Sequence, residues 1–163
     1  MEEVSNLTIE TERLILRPLS EVDREFYVGL YTDEKTMRHI GEPFSDNKAQ
    51  TAFRNTLKAQ YQNSNQVVDT IRTWSLIDKI SKKTLGIMSL TQSCQQRDCK
   101  RRLDKCPKQD QMEVEFGIIL AEKARRNEYS KEATLGLVKF AFYKWFVNRI
   151  TVRFRKQNLA MKG

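Results

Sequence analysis

From Glu113 to Lys156 the chain reads strand, tight turn, helix, strand, and that order leaves few folds open. Glu113-Val-Glu-Phe-Gly-Ile-Ile-Leu120 alternates and then runs apolar. Arg125-Arg-Asn-Glu-Tyr-Ser130 is a polar turn, Ser130–Phe146 has helical spacing, and Arg149–Lys156 alternates again. A strand, a crossover helix and a returning strand make a parallel pair, with a right-handed crossover in almost every case. In such a unit the helix N-terminus sits beside the carboxyl end of the first strand. The free backbone N–H groups and the dipole gathered there suit an anion.

The 163 residues suffice for one domain with a real core. A charged share of 31% against 39% apolar is a globular balance and excludes a disordered chain. The net charge of +8 favours anionic partners: a nucleotide-like cofactor, RNA or a ribosomal surface. No stretch approaches the ~20 apolar residues of a membrane helix, which excludes a spanning protein of that kind. The acidic start Met1-Glu-Glu-Val-Ser5 has no signal-peptide core, so the expected location is cytoplasmic. Cys94, Cys99 and Cys106 share one polar stretch with no familiar zinc spacing, and the sole histidine, His39, is far off in sequence. No metal is expected. An odd count argues against a complete disulfide framework.

Taken in order, residues 8–19 read as a first strand ended by Pro18. Ser20 precedes Glu21, Val22 and Asp23 as a capping-box start for a helix to about Tyr31, with Val22, Phe26 and Leu30 on its inner face. A short helix is expected over Asp33–His39. After the Gly41-Glu-Pro-Phe44 break, another runs from about Asn47 to Gln62, burying Ala49, Ala52, Phe53, Leu57 and Tyr61. Arg72–Asp78 and Thr84–Leu90 read as an antiparallel hairpin, with Gly86 marking a bulge or a close backbone approach. Residues 92–111 form a long polar insertion whose basic part, 97–108, could touch nucleic acid but has no aromatic to stack on bases.

On the crossover helix two rows, Ala133, Leu137, Ala141, Trp145 and Thr134, Val138, Phe142, Phe146, make a wide stripe that must pack on a sheet. Asn148 is expected to close the helix, and Glu132 suits its first turn. Ile150, Val152 and Phe154 form one face of the last strand and Arg149, Thr151, Arg153 and Arg155 the other. With no internal repeat, the chain reads as a single mixed α/β domain, an α+β mixed sheet, over residues 1–163.

At these residues the chain resembles the GNAT superfamily of acyl-CoA N-acyltransferases, and within it the branch of ribosomal-protein N-terminal acetyltransferases. Thr11-Glu-Arg-Leu-Ile-Leu-Arg-Pro18 resembles that branch's first strand, Arg38-His-Ile-Gly41 the close of its first helical pair, and Leu85-Gly-Ile-Met88 its third strand. Glu115-Phe-Gly-Ile-Ile-Leu120, Arg125 and Glu132-Ala133 keep the order and spacing of its cofactor-binding core. The resemblance covers nearly the whole chain. It implies acetyl-CoA as co-substrate and acetyl transfer to a primary amine, on a protein N-terminus or a small amine. The pantetheine arm would lie against the backbone of Ile118, Ile119 and Leu120, in a gap where two parallel strands splay. The diphosphate would sit on the turn Arg126, Asn127, Glu128, Tyr129, Ser130 and Lys131, with Arg125 and Arg126 adding charge. Asn158 would meet the pantetheine. Glu115 would act as general base and Glu42 would help hold a cationic amine; equally, Glu113 and Glu115 read as the polar face of a strand.

Two departures stand out. Glu128 replaces a glycine of the family's turn, adding bulk and repulsion against a diphosphate. The chain also stops at Gly163, where the family continues with a helix and two strands. The resemblance therefore implies a truncated or degenerate member, or a homodimer in which a second chain completes the sheet. The alternatives to an active enzyme are a catalytically impaired binding module of the same fold and a basic RNA- or ribosome-associated protein.

Overall fold

Apolar residues at every second position, Leu14, Leu16 and Pro18, then Trp74 and Leu76, Met88 and Leu90, Val114 and Phe116, give one face of a sheet that must be covered. The computed structural model, which describes residues 7–62, 71–92 and 113–153, builds that sheet from six strands in chain order. They are β1 (Ile9–Glu10), β2 (Leu14–Pro18), β3 (Ile71–Asp78), β4 (Thr84–Gln92), β5 (Glu113–Leu120) and β6 (Arg149–Val152). The helices are α1 (Arg24–Thr32), α2 (Glu34–Met37), α3 (Asp46–Gln62) and α4 (Tyr129–Lys144). Pairings from β1 to β5 are antiparallel, and β5 pairs β6 in parallel through α4, as the strand–helix–strand order requires.

Helix α4 covers one face. Ala133, Leu137 and Ala141 are fully buried on Leu14, Leu16, Trp74, Leu76, Met88, Leu90, Val114 and Phe116. Trp74, Phe140 and Trp145 close that layer as mutual edge-on or tilted ring pairs, 5.4–6.2 Å between centroids. Helices α1 and α3 cover the other face through Leu19, Tyr27, Leu30, Phe53, Leu57 and Ile87. The architecture is a mixed α/β layer structure, as expected.

Several local expectations are corrected. Residues 8–19 are two short strands, not one: Ile9 pairs Leu16 and Glu10 pairs Ile15, with a turn closed by the Thr11 N–H donating to Leu14 O at 2.9 Å. The capping box at Ser20 forms, with Ser20 N donating to Asp23 Oδ2 at 2.9 Å. It begins a 3-10 turn, however, and α1 starts only at Arg24. That change of pitch swings Val22 outward to 82% exposure and buries Tyr27 and Val28 beside Leu30. The Asp33–His39 helix contracts to α2, capped by Asp33 accepting from the Thr36 N–H at 2.8 Å. Tyr61 is half exposed, whereas Gln60 is buried, its amide donating to Leu19 O and accepting from Thr73 N, each at 2.9 Å.

Helix α4 ends at Lys144, not Phe146, and Asn148 does not cap it. Instead Phe146 turns left-handed (φ 52°) and Trp145 N and Val147 N both donate to Ala141 O. The second expected row is consequently not buried at its far end, since Phe142 and Phe146 face outward. Gly86 serves both expected purposes. A bulge separates Leu76 from Ile77 opposite it, and a Cβ on Gly86 would collide with the Ile119 carbonyl. The basic side of β6 pairs with the acidic side of β5: Arg149–Glu113 at 3.1 Å and Arg153–Glu115 at 3.3 Å. The insertion 92–111 from residue 93 on, its three cysteines, Phe154, Arg155 and Asn158 lie outside the described residues.

Candidate active site

The site grows from the end of β5. Parallel pairing with β6 runs from Glu113↔Arg149 to Phe116↔Val152. On its other side β5 continues to Leu120 against β4, with Gly86↔Leu120 the last pair. The expected splay would begin beyond Val152, and the residues of that strand past Arg153 lie outside the described ones. A cleft of about 600 Å³ opens along the α1/α3 face here. Its floor is Gly117, Ile118 and Ile119 of β5 with Ser89 and Thr91 of β4. Its walls include Tyr27, Tyr31, His39 and Arg153. Gly117 matters sterically, because a Cβ there would meet Ser89 Oγ at 3.0 Å.

Tyr31 stacks between Tyr27 (4.5 Å) and Phe44 (5.2 Å). Burial, reinforced by Tyr27, pushes its hydroxyl well above the ordinary tyrosine value, so it stays protonated and can only offer a neutral hydrogen bond. Among the described lining residues there is no carboxylate; the ionisable groups are His39, Arg153 and the two tyrosines.

After Leu120 a 3-10 turn over Glu122–Ala124 leads into the segment before α4. Arg126 (φ 72°) and Glu128 (φ 58°) are both left-handed, and Glu128 is the N-cap of α4 without a side-chain capping bond. The expected helix start at Ser130 thus moves one residue forward, to Tyr129. Arg125 N donates to Glu122 O and Glu132 N to Glu128 O, while the N–H groups of residues 128–131, the N-cap and first three positions of α4, find no backbone acceptor among the described residues. Four donors at one helix mouth fit a diphosphate better than any neutral group. Asn127, Glu128, Ser130 and Lys131 are exposed and Tyr129 is partly covered.

The Arg125 guanidinium donates to Thr36 O at 2.8 Å. Arg125 and Arg126 therefore line a second, basic recess with Lys35, Arg38, His39 and Glu122.

Glu115 projects on the cleft side of β5, cross-strand from Thr91, but it is not part of the cleft lining; Arg153, which is, stands beside it. Glu42 is exposed in the loop after α2, two residues past the lining residue Ile40. Sequence reasoning missed Tyr27, Tyr31, Ser89, Thr91 and Arg153 as cleft residues, and weighed His39 as a metal ligand and as part of the Arg38-His-Ile-Gly41 motif but not as a cleft residue. No group of three His, Cys, Asp or Glu able to hold a metal occurs among the described residues.

A turn with two left-handed residues thus leads from β5 into α4, Gly117–Ile119 of the same strand floor the cleft, and His39 lines both that cleft and the basic recess beside the turn. The profile of the Acetyltransferase (GNAT) domain matches residues 13–163. The chain belongs to the GNAT acetyltransferase family. Members of that family are acetyl-CoA-dependent N-acetyltransferases, and the chain's enzyme class follows from its membership. No curated protein matches the chain.

Solved GNAT structures share its fold. An acetyltransferase from Agrobacterium tumefaciens superposes with a TM-score of 0.68 at 19% identity, covering 95% of this chain and 78% of that one. RimL, a ribosomal alpha-N-protein acetyltransferase, gives 0.68 at 11% identity, covering 95% and 75%. Spermidine N-acetyltransferase from Vibrio cholerae, solved with CoA and spermine, gives 0.61 at 16% identity, covering 86% and 70%. At such identities the likeness is one of fold. No helix among the described residues is long and apolar enough to cross a membrane.

Proposed function

We propose that this GNAT chain acetylates a primary amine on a protein or peptide N-terminus. The observation that carries the reading is the row of N–H groups at residues 128–131 without a backbone acceptor among the described residues, in the turn 126–131 at the mouth of α4 that follows β5. The acetyl-CoA diphosphate rests on those donors. Its pantetheine arm follows the backbone of Ile118, Ile119 and Leu120, whose side away from β4 has no β6 partner among the described residues. Asn158 meets the same arm. Acetyl-CoA supplies the acyl thioester; the chain supplies the grip and the orientation.

The acceptor enters the cleft over Gly117 and Ser89. Its amine must lose a proton to attack, and Glu115 takes it, through water, from the rim by Arg153. Glu42 helps hold the incoming ammonium. A polycationic acceptor would call for carboxylates in the wall. Among the described residues hydroxyls, aromatic rings and an arginine line it instead, which supports a peptide end over a polyamine.

The test is a thermal-shift titration with acetyl-CoA, followed by acetylation assays on peptides beginning with Ser or Ala and on spermidine. Acetyl-CoA should raise the melting temperature and peptides should be the better acceptors. No stabilisation at millimolar acetyl-CoA would end the enzymatic reading. A second reading, a CoA-holding module without turnover, is favoured by the engagement of Glu115 with Arg153 at 3.3 Å. It predicts the same thermal shift and no acetylated product.

Two further points complete the proposal. A cytoplasmic location fits a user of acetyl-CoA. A homodimer pairing along β6 is supported by the exposure of Phe146 (77%) and Val152 (42%) beside that strand, and sedimentation would reveal it.

A further inference from the structure

The turn that carries the amide donors is held by a residue over a hundred positions away. Arg13, in the turn between β1 and β2, donates through Nη1 to the Asn127 carbonyl at 3.1 Å and lays its guanidinium over the Tyr129 ring at 4.6 Å. Its Nε donates to Glu132 Oε2 and its backbone N–H to Glu132 Oε1, both at 2.7 Å. Thr11 Oγ1 donates to the same Oε1 at 2.5 Å. Gly136 lets α4 approach this hairpin, since a Cβ there would meet Thr11 Cγ2 at 2.8 Å. From behind, Lys79 Nζ donates to Thr11 O at 2.6 Å and Lys79 N to Arg13 O at 2.8 Å.

Two consequences follow for an anion at the turn. In a trans peptide the carbonyl and the next N–H point in opposite directions. Drawing the Asn127 carbonyl toward Arg13 therefore aims the Glu128 N–H to the opposite side. Glu132, in the first turn of α4, would otherwise place a bare negative charge at the same helix mouth. Two N–H donors, a hydroxyl and the guanidinium charge occupy it. Burial opposes its ionisation most strongly, but the bonds from Thr11 and Arg13 outweigh that and keep it ionised.

We propose that Arg13 is a positioning residue for the diphosphate-binding turn, fixing the Asn127 carbonyl and screening Glu132 so that residues 128–131 present ordered donors to the cofactor. This rests on the acetyl-CoA reading above. Lysine cannot replace it, because a single ammonium cannot serve Glu132 and Asn127 with the fork's geometry.

The experiment is calorimetric titration of CoA into wild type, Arg13→Gln and Arg13→Lys, with steady-state kinetics on acetyl-CoA and on the amine. Loss of a charge-assisted bond should weaken CoA binding about tenfold in Arg13→Gln. Arg13→Lys should remain folded and bind CoA severalfold more weakly than wild type. KM for acetyl-CoA should rise, with kcat and KM for the amine unchanged; a purely structural role would lower the melting temperature and disturb both substrates alike. A CoA affinity within twofold of wild type in Arg13→Lys, or in folded Arg13→Gln, overturns the proposal while leaving the acetyl-CoA reading intact. Wild type that fails to bind CoA overturns both, and that arm tells the two failures apart.

Discussion

Arg153 Nε lies 3.3 Å from Glu115 Oε2, so the candidate base and a residue of the cleft wall share one ion pair across the β5–β6 seam. The carboxylate is a third exposed and the guanidinium mostly so, which leaves the pair able to part. If Glu115 accepts the proton from the amine, Glu115→Gln should lower kcat by about 10²–10⁴-fold and leave KM for acetyl-CoA unchanged. Arg153→Gln, which frees the carboxylate, should retain turnover. If Glu115→Gln turns over as fast as wild type, Glu115 has no part in the proton transfer.

Glu128 occupies a left-handed conformation that side chains adopt at a cost of roughly 1–2 kcal/mol. Its carboxylate also stands at the helix mouth where a diphosphate would bind. Glu128→Gly should therefore raise stability by about 1 kcal/mol and tighten acetyl-CoA binding together. Chemical denaturation reads the first and calorimetry the second. Gained stability with unchanged affinity would mean that the diphosphate does not rest on this turn.

Gly86→Ala tests the packing beneath the site. The added methyl would meet the Ile119 carbonyl and the Leu120 side chain at once, and neither the ladder nor the core can yield far. The expected cost is about 1–3 kcal/mol, read from the urea midpoint. Because Ile119 and Leu120 form the proposed pantetheine edge, KM for acetyl-CoA should rise as well. A neutral result would show that the β4–β5 edge moves apart easily.

The order of elements was legible because each carries its own period. Alternation marks β3, β4 and β5, and the Ala133, Leu137, Ala141 spacing marks α4. The β1–β2 turn was not, because alternation runs straight through Thr11-Glu12-Arg13 without Gly or Pro. What helps to close it is Glu132, 121 residues from Thr11. Val22 misled for a related reason: the capping box is local and was read correctly, but a 3-10 turn rotates the residue away. The turn at 125–130 could be placed from its charge and position. The cleft could not, since Tyr27, Tyr31, Ser89, Thr91 and Arg153 come from separate elements that only the topology gathers.

Three carboxylates tie the fold to pH. Asp33 is held below its ordinary value of 3.8 by hydrogen bonds from Thr36, side chain first and then backbone N–H. Asp78 is held below 3.8 in the same way by Ser81. Glu132 lies below 4.5 although burial pulls upward, since Thr11 and Arg13 outweigh it. In each case the unfolded chain takes up its proton at a higher pH than the folded one, so acid favours unfolding. The stability these groups add is complete above about pH 4.5 and is lost as the pH falls through the lower folded values. Urea midpoints should thus be level down to about that pH and fall steeply below it. Glu132→Gln should flatten part of that fall, because an amide takes up no proton. A variant with the acid slope of wild type would show that the Thr11–Arg13 clamp does not couple to folding.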